Sequence, residues 1–304
     1  MAAWRWIAAS GLLLVGAALP AKDAPRERLV PPDGLVAARV GDTAMTVRID
    51  PAMIAMPMLD AAHAALAGLK AGPFPMGFAV GPHMFKGQTA VGSLMLPGAA
   101  PFKRRIGWST APHTEGIAGS LGPGGVPEPL VRFALRPPVA GERSVTLPMM
   151  KSGGLFGEWG ASDAMILVDG RPMRLRFDPF HPRTLATAGA AVRLAAAQGG
   201  TLSGAAVPVE IAFGIPRPVR MLTLARPLAI GPLMLATLGA RTSDYGRTSA
   251  IAEAEPDPDE VVVVARGKKA DPSRDRLTLG ADMLARCSSI LFDKPARRIT
   301  LRCA

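Results

Sequence analysis

Two octapeptides carry the side chains best placed for acid–base chemistry: VRIDPAMI (Val47 to Ile54) and LRFDPFHP (Leu175 to Pro182). In each, an alternating apolar stretch reads as a strand and stops at an aspartate followed by proline. Two carboxylates brought together can share one proton. One then activates a water while the other donates to a carbonyl oxygen, which is the chemistry of amide hydrolysis. Asp50 and Asp178 are therefore the candidate catalytic pair. The competing reading is structural: each aspartate caps the turn that leaves its strand, its side-chain oxygen accepting from backbone two residues on.

Other constellations point elsewhere and more weakly. Met53, Met56 and Met58 in AMIAMPML have a spacing that could hold Cu(I) through thioethers, a copper-handling reading. Their neighbours are all apolar, so core packing competes directly. The four histidines, His63, His83, His113 and His181, are dispersed without the spacing of a zinc site, and no metal or cofactor is expected. GPGGVP (Gly122 to Pro127) lacks the Lys-Ser/Thr of a phosphate loop and reads as a turn. No Ser-His-Asp arrangement or nucleophile elbow is present.

The elements that must hold the two aspartates occur twice. VGDTAMTVRIDP (Val40 to Pro51) aligns without a gap on VDGRPMRLRFDP (Val168 to Pro179). Each reads as a hairpin ending at the carboxylate. Ala-rich segments of helical character follow both, MLDAAHAALAGL (Met58 to Leu69) and LATAGAAVRLAAA (Leu185 to Ala197). Each half later runs an apolar stretch into glycine: Ile117, Ala118 and Gly119 in the first, Leu277, Thr278, Leu279 and Gly280 in the second. Further strand patterns surround them. With 33 glycines and 30 prolines chopping the apolar material into short pieces, the fold class is mainly β: two pseudo-symmetric, barrel-like lobes with short helices.

On these repeats, and on the closing stretch LTLGADMLARCSSILFDKPARRITLRC, the sequence resembles the single-chain, two-lobed aspartic proteases, of the retropepsin-like and pepsin-like kind. The resemblance implies one aspartate per lobe from an Asp-Thr-Gly motif, and Asp50 and Asp178 fall at those positions. Pro51 and Pro179 stand where threonine is expected, without the hydroxyl or N–H that locks the lobes together in that family. Ala52 and Phe180 replace the glycines. The single tyrosine, Tyr245, lies in the second half, so a first-lobe flap tyrosine is absent. The expectation is an exported aspartic protease-like protein, catalytically impaired, binding a peptide or envelope component in the inter-lobe cleft. The alternative is an active endopeptidase using Asp50 and Asp178.

Composition bounds the partners and the compartment. The formal charge is +11, but the basic residues are scattered and aromatics are few, so nucleic acid is not expected. MAAWRWIAASGLLLVGAALPA has one Arg, an apolar run from Ile7 to Ala18, then small residues: a secretory signal pattern, too short to span a bilayer. This predicts a periplasmic or secreted protein with no integral membrane segment after cleavage. Cys287 and Cys303 agree with export. If Asp293 faces Arg297 across a hairpin, Ile290 faces Thr300 and the two cysteines face each other, favouring a disulfide over two buried thiols. EPDPDEVVVVARGKK (Glu255 to Lys269) reads as an exposed insertion around an intense strand and resembles a TonB box. Val261–Val264 could recruit a partner by strand addition or pair within its own lobe. The expected organisation is a signal peptide over 1–21, a linker over 22–34, a first lobe over 35–138, a connection over 139–160, and a second lobe over 161–304 with an insertion at 245–275.

Overall fold

The carboxylate-bearing hairpins organise both halves of the computed structural model, which describes residues 26–111, 116–150, 160–244, 246–254 and 271–304. The signal segment, the connection's second half and the valine run Val261–Val264 lie outside the described residues. A first strand, β1 (Glu27–Val30), precedes the hairpin of β2 (Leu35–Val40) and β3 (Thr43–Ile49). Met45, Val47 and Ile49 on β3 are buried while Ala44 and Thr46 are exposed, the period-2 pattern that puts one face in a core. Next come β4 (Met58–Asp60), α1 (Ala61–Leu66), β5 (Met76–Val80), β6 (His83–Met95), β7 (Phe102–Ser109), β8 (Gly119–Leu121), β9 (Leu130–Ala134) and β10 (Arg143–Pro148). The second half runs β11 (Ala164–Val168), β12 (Arg171–Phe177), β13 (Leu185–Ala186), α2 (Ala188–Gln198), β14 (Gly200–Ala212), β15 (Ile215–Ile230), β16 (Leu233–Arg241), β17 (Ala252–Glu253), β18 (Arg276–Leu279), α3 (Ala281–Leu284), β19 (Cys287–Asp293) and β20 (Arg298–Cys303).

The two halves share one topology. The first sheet has the order β2-β3-β8-β4-β7-β6-β5 and the second β11-β12-β18-β13-β16-β15-β14-β17. In each, a late strand enters between the carboxylate strand and the strand before the helix. β8 lies parallel to β3 and antiparallel to β4, and β18 lies parallel to β12 and antiparallel to β13. A further pairing of β2 with β6 closes the first sheet on itself as a barrel. The fold is mainly β, with two pseudo-symmetric lobes.

Four details differ from the sequence reading. The Ala-rich segments each begin with a short strand, and their helices start only at Ala61 and Ala188. Asp60 explains the first start: its Oδ1 accepts from the His63 N–H at 2.7 Å as the helix N-cap. The glycine matching Gly280 is Gly122, not Gly119, because Leu121 and Leu279 are the residues whose carbonyls accept from the Asp50 and Asp178 N–H groups. A Cβ on either glycine would overlap backbone, at Met53 and Arg183 respectively. The linker over 22–34 contains β1, and the connection over 139–160 contains β10. Both join a third sheet, β1-β9-β19-β20-β10, that runs beneath both lobes. Finally, Asp293 pairs with Arg298 rather than Arg297, which turns at positive φ, and Ile290 faces Leu301. A bulge between Cys287 and Ser289 restores the Cys287↔Cys303 register, and the disulfide forms.

The shared sheet meets the second lobe through stacked aromatics. Phe292 lies edge-on to Phe133 at 5.6 Å and to Phe177 at 6.3 Å, and all three are fully buried. Each such ring contributes on the order of 2–3 kcal/mol by burial alone. Phe177 immediately precedes Asp178, so the same packing fixes the strand end that presents the carboxylate.

Candidate functional site

Both aspartates leave their strands by the same construction. The Asp50 N–H donates to the Leu121 carbonyl at 2.9 Å and the Asp178 N–H to the Leu279 carbonyl at 2.8 Å, the last rungs of the parallel pairs. The chain then reverses in a four-residue turn with aspartate first and proline second. The Met53 N–H donates to the Asp50 carbonyl at 3.1 Å, and the His181 N–H to the Asp178 carbonyl at 3.2 Å. Proline pre-sets φ at the second position of such a turn. The carboxylates are fixed in turn: Asp50 Oδ1 accepts from the Ala52 N–H at 2.7 Å, and Asp178 Oδ1 from the Phe180 N–H at 3.2 Å and the His181 N–H at 3.0 Å. The donors are backbone groups, so neither Ala52 nor Phe180 removes them. Capping the turn and facing the cleft are compatible, because the cap uses Oδ1 alone.

The threonine-based lock expected at 51 and 179 is missing, and other contacts bridge the lobes. The Phe180 ring reaches across the seam, lies under the Arg48 guanidinium at 4.6 Å, and packs where a Cβ on Gly34 would sit. It leaves both carboxylates lining the cavity. Behind the Asp50 turn, Ala55 N–H donates to the Gly160 carbonyl at 3.1 Å and Ile54 bridges Ala161. The shared sheet does the rest.

The cavity between the lobes holds about 720 Å³. Asp50 and Asp178 form part of its wall with Arg48 and Arg176 beside them. One hairpin from each lobe covers it. Phe78 on β5 and Phe85 on β6 meet Phe213, in the turn between β14 and β15, with centroids 5.2–5.3 Å apart. The turn of the first hairpin rests on the second lobe: a Cβ at Gly81, which has φ 58, would overlap Asp244 Oδ1. His181 ties the second hairpin down, its Nε2 lying 3.1 Å from the Glu210 carbonyl oxygen.

Electrostatics treat the aspartates as a pair. Asp50 is pushed up to about 7, first by burial and then by the charge of Asp178. Asp178 is also raised by burial, against the pull of His181, its backbone donors and Arg176. Two acids so coupled titrate as a unit, and one proton is retained near neutrality. A retained proton on one carboxyl beside an ionised partner is the state that water activation requires.

The remaining candidates fall elsewhere. Met56 and Met58 are buried with Met76 in a small cluster under Phe78 and Phe85, with Met53 packed against it and lining the cleft. His63 is held by Asp60 at 2.7 Å, and His83 is exposed on the first hairpin. His113 and Tyr245 lie outside the described residues. Among the described residues no group of three His, Cys, Asp or Glu side chains could hold a metal ion. No helix among them is long and apolar enough to cross a membrane. Sequence reasoning passed over the covering aromatics and Arg241 and Arg276, which also line the cavity. The alternation RLTL before Gly280, with Arg276 and Thr278 on one face, was the available signal.

No known family profile matches the chain, and no curated protein is significantly similar to it. Among solved structures it is similar to the aspartic proteinase from Irpex lacteus, at 11% identity over 89% of this chain and 94% of that one, with a TM-score of 0.42.

Proposed function

We propose that the protein is a hydrolase of extended polypeptides, acting in an extracytoplasmic compartment, with Asp50 and Asp178 as its catalytic pair. One observation carries the reading: the two aspartates end equivalent strands of equivalent lobes and face one cavity, where burial first and the Asp178 charge second raise Asp50 to about 7. In the reaction, ionised Asp178 takes a proton from a water that attacks the peptide carbonyl carbon. Asp50 gives its proton to the carbonyl oxygen. The tetrahedral diol then collapses: its hydroxyl proton returns to Asp50, the C–N bond breaks, and Asp178 passes its proton to the leaving nitrogen. The covering hairpins offer strand edges for an extended chain. The Cys287–Cys303 disulfide and the N-terminal apolar run support the compartment.

A casein digest at pH 4 to 7 tests this. Wild type should cleave, and Asp50→Asn and Asp178→Asn should each lose at least about a hundredfold in rate, since neither amide can take part in the proton exchange. Equal cleavage by all three would refute the assignment. A binding-only cleft has one observation in its favour: Arg176 and Arg48 both act to draw the proton from Asp50. On that reading wild type binds casein-derived peptides at every pH and cuts none.

A further inference from the structure

The second lobe carries a charge cluster that the first lacks. On β12 and β18, Arg174 pairs with Arg276 and Arg176 with Thr278, so these four side chains share one face. The equivalent first-lobe pairing sets Val47 against Gly119, which puts Thr46 and Ala118 where the second lobe has Arg174 and Arg276. Neither of those two arginines is a relic of the duplication. Together with Arg241 from β16, Arg176 and Arg276 form the wall between the catalytic cavity and a second cavity of about 340 Å³. They line both.

The acids nearby are already engaged. Asp163, 2% exposed, takes Arg176 in a two-bonded pair at 2.7 and 3.0 Å, with Arg174 at 3.5 Å. Asp244, 1% exposed, takes Arg217 at 2.8 Å and Arg241. Asp271 takes Arg274 at 3.0 Å. Among the described residues Arg276 is left with no carboxylate within ion-pair distance, and its buried Nε has no hydrogen-bond partner. A guanidinium crowded by other guanidiniums and lacking an acceptor is an incomplete site for an anion. Its proton affinity shows the crowding: Arg276 falls to about 9, first through the Arg176 charge and then through burial.

We infer that the pocket around Arg276 is a carboxylate-recognition subsite of the cleft, selecting polypeptides that place an acidic side chain or a free C-terminus beside Arg241 and Arg276. The inference rests on the polypeptide-cleft reading above. Arg276 lines both cavities, and a planar carboxylate matches the paired terminal N–H groups of its fork. The matching first-lobe position is Ala118, an uncharged residue buried in the core, so recognition is one-sided and sets the direction in which a chain lies.

The test uses the full chain as Asp50→Asn, to suppress turnover, with fluorescein-labelled octapeptide pools. One pair of pools is amidated and differs only in a fixed Glu or Gln. A second pair lacks acidic residues and ends in a free acid or an amide. Polarisation should show each carboxylate-bearing pool, or one of the two, bound about tenfold or more tightly than its neutral match. The pair that discriminates identifies side chain or terminus. Adding Arg276→Met should bring the paired pools within about twofold, and Arg276→Lys, which keeps charge without the fork, should retain part of the preference. Glutarate, titrated by calorimetry, probes the pocket without a peptide. Glutarate binding that disappears in Arg276→Met, with no pool bound, would sustain the subsite and refute the polypeptide reading alone. Neutral and acidic pools bound equally, a preference that survives Arg276→Met, or an absence of both pool and glutarate binding would overturn the subsite. Arg276→Lys serves if Arg276→Met does not fold.

Discussion

Replacing Asp50 by asparagine should flatten the protein's stability between pH 4 and pH 7. Asp50 binds its proton more tightly in the folded chain, near 7, than its ordinary value of 3.8. Between those values the folded state holds a proton that the unfolded state has released, so stability is greatest below pH 4 for this group and falls as pH rises. The difference between 3.8 and about 7 sets a ceiling of roughly 4 kcal/mol, at about 1.36 kcal/mol per tenfold change in proton affinity. The carboxyl is only half-buried and faces a cavity that water can enter, so solvent screening brings the expected loss to about 1–2 kcal/mol. Asp178→Asn should act in the same direction, because the Asp178 charge is the second cause of the Asp50 shift. The assay is urea unfolding followed by tryptophan fluorescence at pH 4.5 and 7.5 for wild type and both variants. Groups that interact with neither aspartate are common to all three proteins and cancel in the difference. If wild type and Asp50→Asn lose the same stability between the two pH values, Asp50 does not hold its proton more tightly in the folded chain, and the protonated acid on which the proposed hydrolysis depends is not formed.

Three further outcomes follow from the fold. Phe180→Ala removes the ring that spans the seam between Gly34 and Arg48, and should cost about 1–3 kcal/mol in a urea melt while lowering casein cleavage through a loosened carboxylate pair. Unchanged stability would show that the ring does not join the lobes. Cys287→Ser with Cys303→Ser opens a bridge of sequence separation 16 and should lower stability by about 3 kcal/mol, measured against oxidised wild type. Gly81→Val both strains a left-handed turn and pushes the hairpin off Asp244, so it should lower kcat/KM by tenfold or more, an effect of about 1.4 kcal/mol, with a smaller effect on the melting temperature.

The local plan was legible because it is written in short-range pattern. Alternation on β3 and β12, the Asp-Pro steps and the gap-free repeat located both hairpins and both aspartates to the residue. What failed to read out was long-range pairing. Gly119 and Gly122 both follow apolar residues, and only the hydrogen bond from Asp50 to Leu121 distinguishes them. ERLV over Glu27–Val30 is too short to announce a strand, and its partner Leu130–Ala134 is far along the chain. The one-residue slip in the last hairpin was masked by a compensating bulge, so the cysteine pairing came out right from a register that was not. The Asp-Pro departure was read as a loss because proline deletes a hydroxyl and an N–H. In three dimensions the same residue fixes the turn from which the carboxylate is held.

The sheet beneath the lobes has a consequence for how the chain can be made. Its neighbours β9 and β19 come from opposite halves, and its outermost strands, β1 and β10, lie near the start and the middle of the sequence. During synthesis the first barrel can close, yet β1 and β9 must wait with an open edge until β19 and β20 emerge. Neither half is a self-sufficient unit that could be excised and paired with a copy of itself. The repeated plan is thus tied into a single polypeptide, and the β19–β20 hairpin is the clasp that joins strands from both halves.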